Sequence, residues 1–296
     1  MNINKHGSFY MRNGWGTKII QSVKSNAMIF SPRCEEEAVD TIGLGRVMIK
    51  ALRYWAVVMG LCTEEKTTEG IKEIPSELFK LINQYDEYFQ NNASLILCHR
   101  NLATDKEGAT AWYWFFNEFN YNMFTKEMFI ESFNAYLVVN GEKSRKEAID
   151  KEFNCLKNTY YTDKKIDAKT AVEDYIYPFF YQLKLLSYDN TTKRFQKNSF
   201  NKANLPVEVL VYCIIMDNEE LVKDNKQINV DKLVGEVNQI GKYLNLNFTD
   251  LIDLLIIAEN RGLLSLTNNF GNRFIELKVQ DPVAVLDGYF RTEGVL

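Results

Sequence analysis

Between residues 32 and 60 the apolar positions fall into two helical rhythms separated by glycines. Ala38, Val39 and Ile42 share one face, Gly43-Leu44-Gly45 interrupts, and Val47, Met48, Ala51, Leu52, Trp55 and Val58 resume at helical spacing. The pattern predicts helix, tight turn, helix. Leu61-Cys62-Thr63, the polar stretch 64–69 and residues 70–74 then read as a short hairpin, and Pro75 and Ser76 open a further helix. A helix-turn-helix followed by a hairpin is the order of a winged helix.

The middle of the chain predicts aromatic helices, from residues 111–117 and from the run 119–129. Such density suits either a stacking platform for unpaired bases or a packed core, and the core is favoured because so apolar an exposed face is unusual. Ser144 with Glu147 three residues on has the form of a capping box, opening a helix that runs through Phe153 and Leu156. Asp189-Asn190-Thr191-Thr192 reads as a turn between residues 185–188 and 193–196.

After the polar stretch 197–204, ending at Pro206, the first pattern returns. Helices are predicted over 231–244 and 249–259, followed past Gly262 by strands over 263–266 and 274–277 around Asn268-Asn269-Phe270-Gly271. The expected fold is mainly α (α+β). An N-terminal winged-helix-like module (1–80) and an aromatic helical middle (81–204) precede a second winged-helix-like module (205–296).

Charge changes this picture. The chain has 296 residues and a formal net charge of -4, with a pI near 5.5, which excludes a uniformly basic nucleic-acid protein and requires any DNA contact to be local. Residues 1–60 carry 8 Lys and Arg against 4 acids, a local +4 that leaves -8 for the rest. That asymmetry is either a functional patch or ordinary fluctuation. On the second predicted helix Arg46, Lys50 and Arg53 recur at i, i+4 and i+7, opposite the apolar stripe, a spacing suited to phosphate and guanine contacts and equally to a merely solvated face. Glu64, Glu65 and Glu69 on the hairpin would repel DNA, so this wing is expected to point away or to meet a protein. The second module presents Asp250 and Asp253 instead of cations, which suits docking better than DNA reading.

Other classes drop out. Gly 15 and Pro 5 are few and Phe 19 and Tyr 16 many, against low-complexity disorder. No apolar run approaches the roughly 18 to 20 residues of a membrane span, and the N-terminus lacks a secretory pattern, so a cytoplasmic protein is expected. Cys34, Cys62, Cys98, Cys155 and Cys213 form no C-x-x-C pair and read as reduced, mostly buried thiols. With His6 and His99 the only histidines, no metal centre is expected. Phosphate-loop, nucleophile-elbow and dinucleotide-binding glycine motifs are missing from the sequence.

Several strings carry a resemblance. HGSFYMRNGW (residues 6–15) with Lys18, GLGRVMIKALRYW (43–55), Tyr85-Asp86-Glu87-Tyr88, Cys98-His99-Arg100, the run 110–117 and Asp281-Pro282 resemble a bacterial family catalogued as a domain of unknown function. That family is found beside sulfurtransferase genes resembling PAPS reductase. Its better-characterised members look like the B component of Ssp-type DNA phosphorothioation systems, which serve in phage defence, a DNA-binding factor to which strand nicking is attributed. The resemblance spans most of the chain and is strongest before residue 120. Arg46-Val47 stands where the family prefers Lys-Asn, Glu87 where it prefers Pro, and Arg100 where it prefers Trp.

The resemblance implies roles for His6, Arg12, Trp15, Lys18, Lys50, Arg53 and Trp55. Periodicity independently selects Lys50 and Arg53 as outward cations and puts Trp55 in the core. His6 is either a satisfied histidine or a base. Arg12 and Lys18 flank Trp15 beside Gly14 and Gly16, a segment that could approach a phosphate or simply pack as a turn.

Three functions follow. The leading one is a component that binds double-stranded DNA through Arg12, Lys18, Arg46, Lys50 and Arg53 and positions it for partner sulfur-transfer enzymes. The second is a nickase using Mg²⁺, with Asp86, Glu87 and Glu118 as candidate acids and no catalytic residue assigned. The third is a scaffold, or a winged-helix regulator without cleavage, that docks an ATPase or a PAPS-reductase-like sulfurtransferase. A cofactor enters only with the nickase.

Overall fold

A computed structural model of the chain describes residues 1, 3–163, 177–269 and 271–293. Its first part comprises α1 (Trp15–Ser25), α2 (Glu35–Ile42), α3 (Arg46–Val58), the hairpin β1 (Cys62–Thr67) and β2 (Gly70–Pro75), and α4 (Glu77–Tyr85). The middle holds α5 (Asn92–Thr104), α6 (Thr110–Asn117), β3 (Met123–Phe124), α7 (Lys126–Val139), α8 (Lys146–Tyr160), β4 (Leu186–Asp189) and β5 (Arg194–Lys197). Then come α9 (Val207–Asp217), α10 (Glu219–Lys223), β6 (Ile228–Asn229), α11 (Val230–Gly235), α12 (Ile240–Tyr243), α13 (Phe248–Asn260), β7 (Leu264–Asn269), β8 (Asn272–Leu277) and α14 (Pro282–Glu293).

The architecture is mixed helix and strand, with small antiparallel sheets ordered β1-β2, β3-β5-β4 and β6-β8-β7 among the described residues. Local chemistry explains the first boundaries. Gly43 closes α2 at φ 69, a left-handed conformation that glycine adopts without penalty. Ser76 caps α4 by accepting from the Phe79 amide at 3.0 Å. The β1-β2 register runs from Cys62 opposite Pro75 to Thr67 opposite Gly70.

Several expectations need correction. Ser144 and Glu147 form no capping box: α8 begins at Lys146 with Arg145 at its N-cap and no side-chain cap. The single helix expected over 231–244 is two, because Glu236 leaves the helix at ψ 153 and Asn238 takes φ 60. The run 119–129 is not continuous helix, since β3 intervenes to pair with β5. Phe270 lies outside the described residues.

One continuous hydrophobic core runs from Met11 to Phe290. The aromatic middle is its centre: Trp112, Trp114, Phe115, Phe116, Phe119 and Phe129 are all buried, so these rings pack against each other and offer no stacking platform. Lys197 is drawn into this centre to cap α6, donating to the carbonyls of Phe115 (3.0 Å) and Phe119. Burial lowers its ammonium pKa to about 7. At the far end α14 returns to α4, where Tyr85 stacks on Phe290 and donates to Asp287 at 2.8 Å. No helix among the described residues is long and apolar enough to cross a membrane.

Candidate nucleic-acid interface

The geometry of α3 follows from its apolar stripe. Ile49, Leu52, Trp55, Ala56 and Val58 are buried, and the Trp55 indole donates to the Phe9 carbonyl at 3.0 Å. Val47, counted with that stripe in the sequence, is instead 57% exposed. The cations lie opposite. Arg46 and Lys50 stand in solvent, loosely sharing Glu35 of α2 at 3.7 and 3.5 Å. Exposed pairs of this length contribute little, so both side chains are available to a ligand.

Arg53 differs from its two neighbours. Its Nε and a terminal nitrogen each donate to the Glu64 carboxylate at 2.6 Å, a two-pronged contact that brings the hairpin back onto α3. Glu73, directly across the ladder from Glu64, is fully buried under the same guanidinium with Oε1 at 3.9 Å. Neither Glu73 oxygen has a hydrogen-bond partner, and burial pushes its carboxyl up to about 7, with Glu64 adding and Arg53 opposing. The hairpin acids thus divide: Glu64, Glu65 and Glu69 are all exposed, and of the three Glu64 is the one bound to Arg53.

The N-terminal candidates are held by the chain itself. Lys18 donates to the Ile42 carbonyl at 2.6 Å, tying α1 to the last turn of α2. The Arg12 guanidinium lies over the rings of Tyr10 (4.8 Å) and Trp15 (5.4 Å), beside the bridge to Pro178. Gly14 takes φ 81 at the start of α1, while a side chain at Gly16 would run into Phe89 and Phe179. Gly16 therefore serves close packing.

His6 is sealed in the interior. Its Nδ1 accepts from the Ser8 amide at 3.0 Å, and Nε2 lies 3.2 Å from Glu152 without a hydrogen bond between them. Glu152, equally buried, accepts from the Asn4 amide. The pair fastens the N-terminal segment to α8. Sequence reasoning missed Glu152 because 146 positions separate the partners. It also missed exposed Lys5, which joins Lys50, Arg53, Tyr54, Glu64 and Asp105 around a cleft of about 460 Å³.

The candidate nickase acids do not converge. Asp86 is buried and accepts from the amides of Gln90 (2.7 Å) and Asn91 (3.1 Å) in the turn after α4. Glu87 accepts from Gln21 at 2.9 Å, and Glu118 ends α6. Among the described residues no three Asp, Glu, His or Cys side chains are grouped so as to hold a metal ion. In the C-terminal part, Asp250 and Asp253 are bridged by Lys202 at 2.9 and 2.6 Å and do not form a bare acidic face. His99 is also committed: Nδ1 lies 2.8 Å from the Tyr160 hydroxyl and Nε2 2.7 Å from the Tyr243 carbonyl.

Residues 3–290 match the family described as "Protein of unknown function (DUF4007)". The chain belongs to the DUF4007 family. No curated protein matches it. Two solved structures share its fold: the SspB crystal structure, with a TM-score of 0.82, and the magnesium ion-bound SspB crystal structure, with a TM-score of 0.83. Each is 21% identical in sequence, and each comparison covers 98% of this chain and 88% of the other.

Proposed function

We propose that this protein is the double-stranded-DNA-binding component of a bacterial DNA phosphorothioation system, in which it presents duplex to sulfur-transfer partners. The observation that carries the reading is the pair Arg46 and Lys50, exposed on the second helix of a helix-turn-helix-hairpin unit, in a chain folded like SspB over 98% of its length. The helix order and hairpin support a winged-helix reading of this unit. In the C-terminal unit, β8 between β6 and β7 with α11 to α13 intervening in sequence supports the same reading.

Arg46 and Lys50 then make the primary backbone contacts, and Arg12 and Lys18 act chiefly by shaping the segment behind them. Phosphate neutralisation by Lys and Arg releases counterions, so binding must weaken with salt. Anisotropy of a labelled duplex across a salt series tests this. Arg46→Glu with Lys50→Glu is expected to lower affinity about tenfold or more on any DNA sequence and to flatten the salt slope by about two phosphate contacts. Unchanged binding would remove the surface. Strand nicking is no part of the proposal, because the acids offered for it are held apart: Asp86 holds the turn after α4, Glu87 accepts from Gln21 and Glu118 ends α6.

A second reading, a scaffold that docks an ATPase or sulfurtransferase, draws on the internal pairing of Arg53, Lys18 and Lys202 and on exposed Val47 between the cations. It predicts co-purification with a partner that survives the double substitution while no duplex is bound.

A further inference from the structure

Resting on the DNA-binding reading, we infer that the Arg53–Glu64 pair is an autoinhibitory latch, with Glu64 occupying the guanidinium that a nucleic-acid phosphate takes up when it enters the cleft beside α3.

The cleft has the chemistry of a phosphate seat. Lys5 from the N-terminal segment, with Lys50 and Arg53 from α3, contributes cations around about 460 Å³ of open space. Asp105, the acid on the opposite wall, is already used, accepting from the Gly108 amide at 2.7 Å to hold its turn. On the Arg53 side Glu64 makes the direct contact, with buried Glu73 behind it at 3.9 Å. Its contact is two-pronged at 2.6 Å, the same fork that a guanidinium presents to phosphate, so a phosphate and Glu64 compete for one set of donors.

Two features make the latch easy to open. Both side chains reach solvent, 26% for Arg53 and 31% for Glu64, where water can take the place of either partner as it leaves. The second concerns the one obstacle to opening, that Glu64 and Glu73 would then face each other across the ladder, an arrangement that is costly for two charges. Glu73 answers that difficulty. Its carboxyl, raised to about 7 by burial, is readily protonated, so departure of Arg53 need not strand two carboxylates together. An acid on the hairpin thereby becomes part of the control of binding.

The test is a double-substitution cycle on the full chain, read by duplex anisotropy over a salt series, with thermal melts to show that each variant is folded. Glu64→Gln keeps shape and frees Arg53. It is expected to raise affinity about three- to tenfold and to steepen the salt slope by about one contact. The gain should vanish when Arg53→Gln is added, and Glu65→Gln, the same charge change on the next residue, should give less. Lys5→Gln should lower the slope by about one. A Glu64→Gln gain that persists without Arg53, a gain matched by Glu65→Gln, or no gain at all would overturn the latch while leaving DNA binding intact. Absence of salt-sensitive binding in every variant would overturn the DNA reading itself and the latch with it.

Discussion

Two arginine–carboxylate pairs in this molecule use the same atoms to opposite ends. On the hairpin, Arg53 and Glu64 meet at 2.6 Å with about a quarter to a third of each side chain in solvent, 26% and 31%. In the helical centre Arg100 meets Asp217 at 2.7 Å with 10% and 1% exposed. The inner pair is supported on all sides: Tyr243 donates its hydroxyl to the second Asp217 oxygen at 2.9 Å, and Arg100 donates to Asn101 at 2.9 Å. Burial still raises the Asp217 carboxyl to about 6, with Arg100 and Tyr243 opposing. Water is the difference. Where it can replace a lost partner, the pair is exchangeable and can serve binding; where it is excluded, the pair is a fastener.

The largest expected effect lies at the fastener. Asp217→Ala leaves Arg100 and the Tyr243 hydroxyl without their acceptor in the core and should cost about 3–5 kcal/mol of unfolding free energy, read by urea denaturation. A loss no larger than that of Glu64→Ala would erase the contrast.

Next comes Glu73, the buried acid beneath the exchangeable pair. Its carboxyl rises from 4.5 unfolded to about 7 folded, so the native state carries a penalty that is fully present above pH 7 and is relieved as pH falls toward 4.5. The stability of wild type relative to Glu73→Gln should therefore improve by about 2–3 kcal/mol between pH 8 and pH 4.5. A flat difference would mean that Glu73 is solvated. His99 runs the other way, since burial lowers it from 6.5 to about 4. Its contribution is intact above pH 6.5 and is lost as pH falls through 4, which the Glu73→Gln reference cancels.

Smaller still, Glu64→Gln should change stability by less than about 1 kcal/mol even while altering DNA affinity. Smallest of all, Arg46→Glu with Lys50→Glu should shift it by no more than about 0.5 kcal/mol, because neither side chain packs against the body. A large melting-temperature drop in that variant would assign these cations to the fold.

Much of this was legible in the sequence where the information is local. The period of Leu52, Trp55 and Val58, the break at Gly43 and the Ser76 cap belong to short windows, and helix, turn and hairpin follow from them. The stripe of Arg46, Lys50 and Arg53 was legible for the same reason. Its division into two exposed cations and one latched one was not, because Glu64 and Glu73 reach Arg53 only after the hairpin has folded back. Likewise β3, two residues long, exists because β5 pairs with it. His6 with Glu152 and Arg100 with Asp217 join residues more than a hundred positions apart, and periodicity says which face is buried without saying what meets there. The supposed capping box at Ser144 failed for the converse reason: the local motif was present, but the N-cap falls one residue later, at Arg145.

The most direct test of the contrast is side-chain NMR of the arginine Nε–Hε groups in the intact protein, with and without duplex DNA. The account predicts that the Arg53 resonance moves and its hydrogen exchange changes as duplex is added, while Arg100 stays fixed. An Arg53 signal unmoved in the DNA-bound protein, or Arg53 and Arg100 moving together, would contradict it.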